Sequence, residues 1–342
     1  MSGPRGSNER PRHRPLLVRS GARFACTGDG LCCADAHLLG PVSPREARAI
    51  KEVRPGAIVR DAGLVVIRTQ EDGTCTFLDR AGRCGIHAHP LRPRTCHRYP
   101  FLLVSTPDGG RIGTDHRCPC RSMGPRPALR AADVEGALRD GAGRLSVDRR
   151  VDAPIPIERG RTIAWGAWRE LEGELLEALL ERGVAPERVL DAAPFPPMTD
   201  ATWEQIGHDL AEDDRPMRWA RANQWAGDAI LALHGERIGA RPRPWSDAFD
   251  RAERRSPEPG DPDAMVADWI ADSIWSLEWC FRGTWALARA DLATRLAMAR
   301  WIAARLEADG TRADRAAAEG IAVAEIVGLS EPWEAVLARV EP

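Results

Sequence analysis

Lysine is nearly missing from this chain. Lys51 is the single one among 48 Lys and Arg residues in 342, so positive charge is carried by arginine. That bias is of the kind a GC-rich coding sequence produces, and it says little about activity. Long apolar runs are missing too. The longest near the N-terminus is Leu16-Leu17-Val18, far short of a signal-peptide core, and no later stretch is long and uncharged enough to span a bilayer. The expectation is a cytoplasmic protein with no membrane partner. No P-loop, GxGxxG after a strand, GxSxG or HExxH occurs, which removes the usual signatures of nucleotide-dependent, serine-hydrolase and zincin chemistry. Gly28-Asp29-Gly30 is too short to cradle a phosphate. No basic run is interleaved with aromatics, so nucleic acid is not an expected partner.

What the chain has is cysteine, and nearly all of it in one place. Eight of the nine cysteines lie between Cys26 and Cys120: Cys26, Cys32, Cys33, Cys75, Cys84, Cys96, Cys118 and Cys120. Five of the eight histidines, His37, His87, His89, His97 and His116, share that stretch. In a reducing compartment such a density of thiols points to metal ligation rather than to disulfides. Cys280 stands apart, in an apolar helical pattern, and reads as an ordinary core residue.

Three blocks carry the constellation. In Phe24 to Cys33 (FACTGDGLCC), Gly28 and Gly30 let the backbone curl around an ion, and Asp29, midway between Cys26 and Cys32, offers an oxygen ligand. Neighbouring side chains on an extended segment point opposite ways. Cys32 and Cys33 are therefore expected to diverge, one ligating while the other serves a second metal or packs. In Cys75 to His87, a turn over Asp79 to Gly82 brings Cys75 and Cys84 together across a small hairpin. In Arg92 to Pro100, Cys96 precedes His97. Five arginines and no acids occupy positions 80 to 98, and cationic surroundings favour thiolate. Cys118-Pro119-Cys120 closes the set. A Cys-His nucleophile is open at Cys96-His97, but so many thiols favour ligation over nucleophilic attack. The spacings are not the paired Cys-x2-Cys of zinc fingers and ribbons. Long irregular spacing gathered from loops suits an iron–sulfur cluster, or a Zn or Fe ion.

Residues 24 to 120 resemble the YkgJ-type CxxCxxCC cysteine-cluster family, described as a zinc- or iron-chelating domain. The carriers are F-x-C-x-x-D-G-x-C-C at Phe24 to Cys33, C-x-F-L-D-x-x-x-x-C-x-I at Cys75 to Ile86, and R-P-x-x-C-x-x-Y-P at Arg92 to Pro100. The resemblance implies ligand roles for Cys26, Cys32, Cys33, Cys75, Cys84 and Cys96. Where that family places a further cysteine this chain has Asp29, so a carboxylate, or another cysteine such as Cys118, is implied in its stead. The cysteine order followed by a long helical half is also distantly similar to the flagellin lysine methylase family, which couples an iron–sulfur module to a helical region.

The expected fold class is α+β: a small irregular Cys-rich metal-binding module, then a mainly α-helical, Trp-rich domain. Residues 1–15 read as a disordered basic tail, 16–122 as the module, 123–160 as a connector and 161–342 as the helical domain. In the module, Ser43 to Glu46 is a capping box opening a helix to about Val53. Leu64 to Thr69 is strand-like, and Phe101 to Ser105 with Arg111 to Thr114 flank a Pro107 to Gly110 turn. A short helix is expected near Ala128 to Arg139. Helices follow over Thr162–Arg182, Asp200–Ala211, Met217–His234, Asp263–Ala288, Leu292–Ala308 and Arg312–Val327. All twelve tryptophans fall from Trp165 to Trp333 and are expected in a core, with Ile270, Ile274, Leu277, Phe281 and Trp285 as one buried helix face.

Charge is uneven. To Arg121 there are 20 basic against 11 acidic residues, and beyond it 28 against 39. The favoured explanation is two regions that attract each other across an interface. Three functions fit: a metal-binding protein with a structural or redox-active centre and a helical region for a protein partner or substrate; an Fe–S-dependent protein-modifying enzyme such as a lysine N-methylase; or a zinc-stapled module that contacts protein or nucleic acid. The first is the reading adopted.

Overall fold

The computed structural model describes residues 15–26, 28, 30–33, 41–61, 63–71, 73–152, 154–213, 220–236 and 241–340. The basic tail to residue 14, Asp29 and His37 lie outside the described residues. The chain opens with β1 (Leu16–Val18), a 3-10 turn over Leu31–Cys33, and α1 (Pro44–Val53). The capping box is formed: Glu46 N–H donates to Ser43 Oγ at 3.3 Å, and Ser43 N–H to Glu46 Oε2 at 2.8 Å. The antiparallel hairpin of β2 (Ile58–Asp61) and β3 (Leu64–Ile67) follows, then α2 (Arg94–Arg98), β4 (Phe101–Thr106), β5 (Gly109–Thr114), α3 (Pro119–Ser122) and α4 (Ala131–Leu138). Next come β6 (Arg149–Arg150) and the hairpin of β7 (Ile155–Glu158) and β8 (Arg161–Ile163).

The main sheet runs β1-β5-β4-β6, with β4 and β5 antiparallel and the two outer strands parallel to their neighbours. Gly109 begins β5 rather than completing the turn. A Cβ there would sit 2.5 Å from the Pro15 carbonyl oxygen, so only glycine lets β1 lie this close. The segment between the Cys-rich and helical stretches is built into this layer: β6 pairs with β4, while Val134 and Leu138 pack with Phe101, Leu103 and Ile112.

The remainder is helical: α5 (Trp165–Leu180), α6 (Pro186–Leu190), α7 (Ala201–Ala211), α8 (Ala220–Leu233), α9 (Ser246–Arg255), α10 (Pro262–Ser276), α11 (Trp285–Ala308), α12 (Ala313–Gly328) and α13 (Glu331–Val340). The architecture is α+β, as expected. Several expected boundaries move, among them the start of α11, which lies at Trp285 rather than at the expected Leu292. The helix placed from Thr162 starts at Trp165, because Arg161–Ile163 pair with β7. The single helix placed over Asp263–Ala288 is broken. Leu277 takes a left-handed φ of 56°, a 3-10 turn covers Glu278–Phe281, and Thr284 caps α11 by accepting from Leu287 N–H at 3.2 Å. The continuous stripe from Ile270 to Trp285 is therefore not one helix face, and Phe281 is exposed. The periodicity ran through an N-cap that a dense apolar pattern concealed.

The described tryptophans form core or pack against it; Trp219, and Met217 where the expected helix to His234 begins, lie outside the described residues. Trp168, Trp203, Trp245, Trp269 and Trp333 are fully buried. Trp203 stacks on Trp333 with ring centroids 5.1 Å apart. Their indole N–H groups are satisfied internally: Trp203 donates to the Pro196 carbonyl at 3.1 Å, Trp245 to Glu319 at 2.9 Å, and Trp333 to Asp291 at 2.8 Å.

The sheet is fixed to the helices by buried charge. Asp272 on α10 accepts from Arg19 Nε at 2.6 Å, Thr114 Oγ1 at 2.5 Å and Arg121 Nη2 at 2.9 Å, and His116 Nε2 lies 3.0 Å away. Asp268, one turn earlier, pairs with Arg19 and Arg121 as well. Arg111 on β5 donates to Glu172 on α5 at 2.5 Å and lies over the rings of Trp165 and Trp275 at 4.8 and 4.4 Å. The basic and acidic regions thus meet through desolvated pairs, the physical content of the charge asymmetry.

Burial alone would raise the Asp272 carboxyl, but Arg19 and Arg121, with His116, outweigh it and hold it well below the usual range. A carboxyl depressed in the fold stabilises above its unfolded value of about 3.9, and that stability is lost as pH falls below it. Asp272→Ala leaves two buried guanidiniums short of an acceptor and should cost about 3–5 kcal/mol at neutral pH, with a shallower acid-denaturation slope. Urea unfolding at pH 7 and pH 3 checks this; a loss under about 1 kcal/mol at pH 7 would leave the network structurally idle.

Candidate metal centre

The Cys-rich loops are short of apolar mass. Their own core is Cys33, Val42, Ala47, Ile50, Ala57, Ile67, Cys75, Phe77 and Ile86, so cysteine supplies part of the little packing there is. Backbone bonds hold the blocks against one another. Cys75 N–H donates to the Cys33 carbonyl at 2.6 Å, joining the first block to the second. The expected hairpin is present: Leu78 bridges Cys84, and Gly85 N–H donates to the Phe77 carbonyl at 2.8 Å. Asp79 fastens the turn, its Oδ1 accepting from the Ala81 and Arg83 amides at 2.9 and 2.8 Å. Gly30 has φ +83°, and a Cβ on it would meet the Gly82 carbonyl oxygen at 2.8 Å, so glycine permits the first block to close on the second.

These contacts gather the thiols. Cys33 is buried, and its sulfur is in hydrogen-bond contact with those of Cys32, Cys75 and Cys84. Cys96, carried by α2, interacts with Cys75, Cys32 and Cys84. Cys26 is exposed as a residue, yet its sulfur reaches inward to Cys120 and interacts also with Cys32. Cys118 and Cys120, both buried, flank Pro119 at the start of α3. That short helix is held in place because Arg121, the next residue, is clamped by Asp268 and Asp272. Cys32 and Cys33 occupy a 3-10 turn rather than an extended strand, so the two side chains do not point to opposite faces, and both line the same two cavities.

One cavity, of about 230 Å³, is lined by Cys32, Cys33, Cys75, Cys84 and Cys96. A larger one of about 580 Å³ adjoins it and is lined by Cys26, Cys118 and Cys120 together with Cys32, Cys33 and Cys84. Arg92 and His87 border both, and Arg83, His97 and Arg255 border the larger. Of the nine residues expected to ligate, the fold brings all eight cysteines to these adjoining cavities; Asp29 lies outside the described residues. Cys280 packs half-buried on the helical core, as expected. The contribution of α9 was not legible: Arg251 lies against Gly82, and Arg255 donates to the Gly28 carbonyl at 3.4 Å, so a helix distant in sequence covers the loops. Its basic last turn was the only local signal.

The electrostatics suit a cation. Contacts with Cys32, Cys75 and Cys84, together with burial, push the Cys33 thiol far up. The S–H of Cys33 lowers Cys84 to about 6 against burial, helped by the Ile86 amide and Arg92. Burial, followed by Cys75 and Cys32, pushes Cys96 up to about 12. The sulfur of Cys75 also accepts from Phe77 N–H at 3.4 Å. Amide donors aimed at sulfur stabilise thiolate, and thiolate is the form that binds metal. The donor set is thus soft, crowded and partly pre-ionised, and fits a zinc or iron centre. A different group, Glu204, His208 and Glu236, also converges, but it is exposed and has no bearing on the thiols.

Residues 25–119 match the model of the CxxCxxCC family, whose description is "Putative zinc- or iron-chelating domain". The matched segment spans Cys26 to Cys118, and Cys120 falls just past its end. No curated protein and no solved structure matches the chain.

In metal-free protein at pH 7, Cys84 should be alkylated by iodoacetamide before any other buried thiol and Cys96 among the last, the Cys84 rate dropping as pH falls below about 6. Peptide mass spectrometry over a time course reads the order. Equal rates at Cys84 and Cys96 would show that the cluster holds no preferred thiolate.

Proposed function

We propose that this chain is a thiolate metal-binding protein whose centre organises the Cys-rich loops, with an iron–sulfur cluster as its occupant. The observation that carries the reading is the position of Cys33, buried and met by three further sulfurs at once. Thiols so placed repel as anions and waste hydrogen-bonding capacity as acids, and a cation resolves both. The family match to a zinc- or iron-chelating domain supports the same conclusion.

Spacing favours a cluster over a lone zinc ion. Four sulfurs on one zinc, each about 2.3 Å from it, stand about 3.8 Å apart. Among the described residues no three thiol sulfurs all lie within 4.8 Å of one another, a spread that suits thiolates distributed over several iron atoms. When bound, such a centre would cross-link loops that otherwise rest on a very small core, and its redox chemistry would depend on the arginines and amides around the sulfurs.

Protein purified without oxygen should be brown, absorb near 400 nm, about where Fe–S charge transfer lies, and contain iron with acid-labile sulfide. Cys75→Ala should lower the metal content and melt earlier than wild type. Stoichiometric zinc without iron would replace the cluster with zinc. Full metal content with an unchanged melting curve in Cys75→Ala would remove Cys75 from the ligand set, and a folded protein with no metal at all would overturn the proposal.

A further inference from the structure

The eight thiols do not surround one point. Cys75 and Cys96 line only the smaller cavity, and Cys26, Cys118 and Cys120 line only the larger. The contacts between thiols meet at Cys32, which touches Cys33 and interacts with both Cys96 and Cys26. Cys33 touches Cys75 and Cys84, and Cys96 interacts with both of those. Cys26 touches Cys120 and interacts next with Cys32. Tyr99 stands between the groups, bordering both cavities and interacting with Cys118 and Cys32.

We propose that the thiols form two separate four-cysteine metal sites, one of Cys33, Cys75, Cys84 and Cys96, the other of Cys26, Cys32, Cys118 and Cys120. The division rests on the metal-binding reading above and extends it from one centre to two. It assigns the adjacent pair Cys32 and Cys33 to different sites. Two sulfurs on consecutive residues strain to reach one ion, and Cys32 and Cys33 both lie where the two cavities meet, so each is placed to serve a different one. Cys32, Cys33 and Cys84 border both cavities, as thiols at a shared wall must. Four thiolates also match the ligand demand of a tetrahedral zinc ion or of a [2Fe–2S] or [4Fe–4S] cluster, so the division holds whichever occupant is present.

The sites differ in how they are supported. The thiols of the first all come from the Cys-rich segment, Cys96 from α2 and the others from its turns, with Arg251 of α9 resting against Gly82. The second takes Cys118 and Cys120 from the stretch that His116 and Arg121 tie to Asp272 on α10, and its Gly28 loop receives Arg255 of α9. The second site is therefore the more directly coupled to the helical region.

The test is metal analysis of the full chain, purified anaerobically, as wild type and as Cys96→Ser and Cys26→Ser. Both variants alter partly accessible positions rather than the most buried thiols. Each should keep about half of the wild-type metal, and the double variant should keep almost none. Cobalt(II) titration of metal-free wild type provides a readout that needs no variant: the thiolate-to-cobalt absorption should rise to two equivalents per chain. Saturation at one equivalent, or loss of all metal from either single variant, would overturn the division while leaving a single metal centre intact. No binding of cobalt or of native metal by wild type would instead overturn the metal-binding reading itself.

Discussion

Sulfur crowding is the constraint on which the Cys-rich segment depends. Thiols are weak hydrogen-bond donors and acceptors, and as thiolates they repel. Yet Cys33 is buried against three of them, with Cys96 pressing on the same group. An apolar core of nine residues, two of them cysteines, is too small to hold so many irregular loops unaided. The arrangement makes sense when the repulsion between sulfurs becomes attraction to a shared cation, which converts the least favourable feature of the fold into its cross-link.

The second support comes from elsewhere in the chain. Asp268 and Asp272 lie one turn apart on α10 and collect Arg19, Arg121, Thr114 and His116 from the sheet and the loop beyond it. Cys118 and Cys120 sit inside that clamped stretch. The position of two thiols is thus set by a buried ionic network, and that network is anchored on a helix whose other faces pack in the Trp-rich core. Loop sulfurs, sheet and helices are mechanically one chain of contacts, and α9 completes it by covering the Gly28 and Gly82 loops.

Much of this was legible in the residues themselves. The capping box at Ser43 and Glu46 is a local chemical signal with a local outcome, and it formed as expected. The Asp79 to Gly82 turn is another, since an Asp side chain satisfies the amides that follow it. The described tryptophans were readable as core because large aromatic side chains in helical segments usually face one. The misplacement of one helix over Asp263–Ala288 has the opposite cause. Apolar residues continued through Leu277, Phe281 and Trp285, and periodicity cannot detect a left-handed residue or distinguish a capping Thr284 from an internal one. The strands β1, β2, β6, β7 and β8 were missed because each is two to four residues long and exists only through its neighbour in the sheet.

Composition alone determined that thiols would dominate the first third of the chain, that acidic helices would face basic loops, and that metal ligation was the chemistry to expect. Those conclusions depend on which side chains are present and how reactive they are. Which thiols meet, and which glycines, arginines and helices hold them there, was decided only by the tertiary structure. Cys33 and Cys75 are far apart in sequence yet joined by a backbone hydrogen bond, and Arg255 reaches Gly28 across most of the chain. Contacts of that range arise from the global packing of sheet on helix, and no local pattern encodes them.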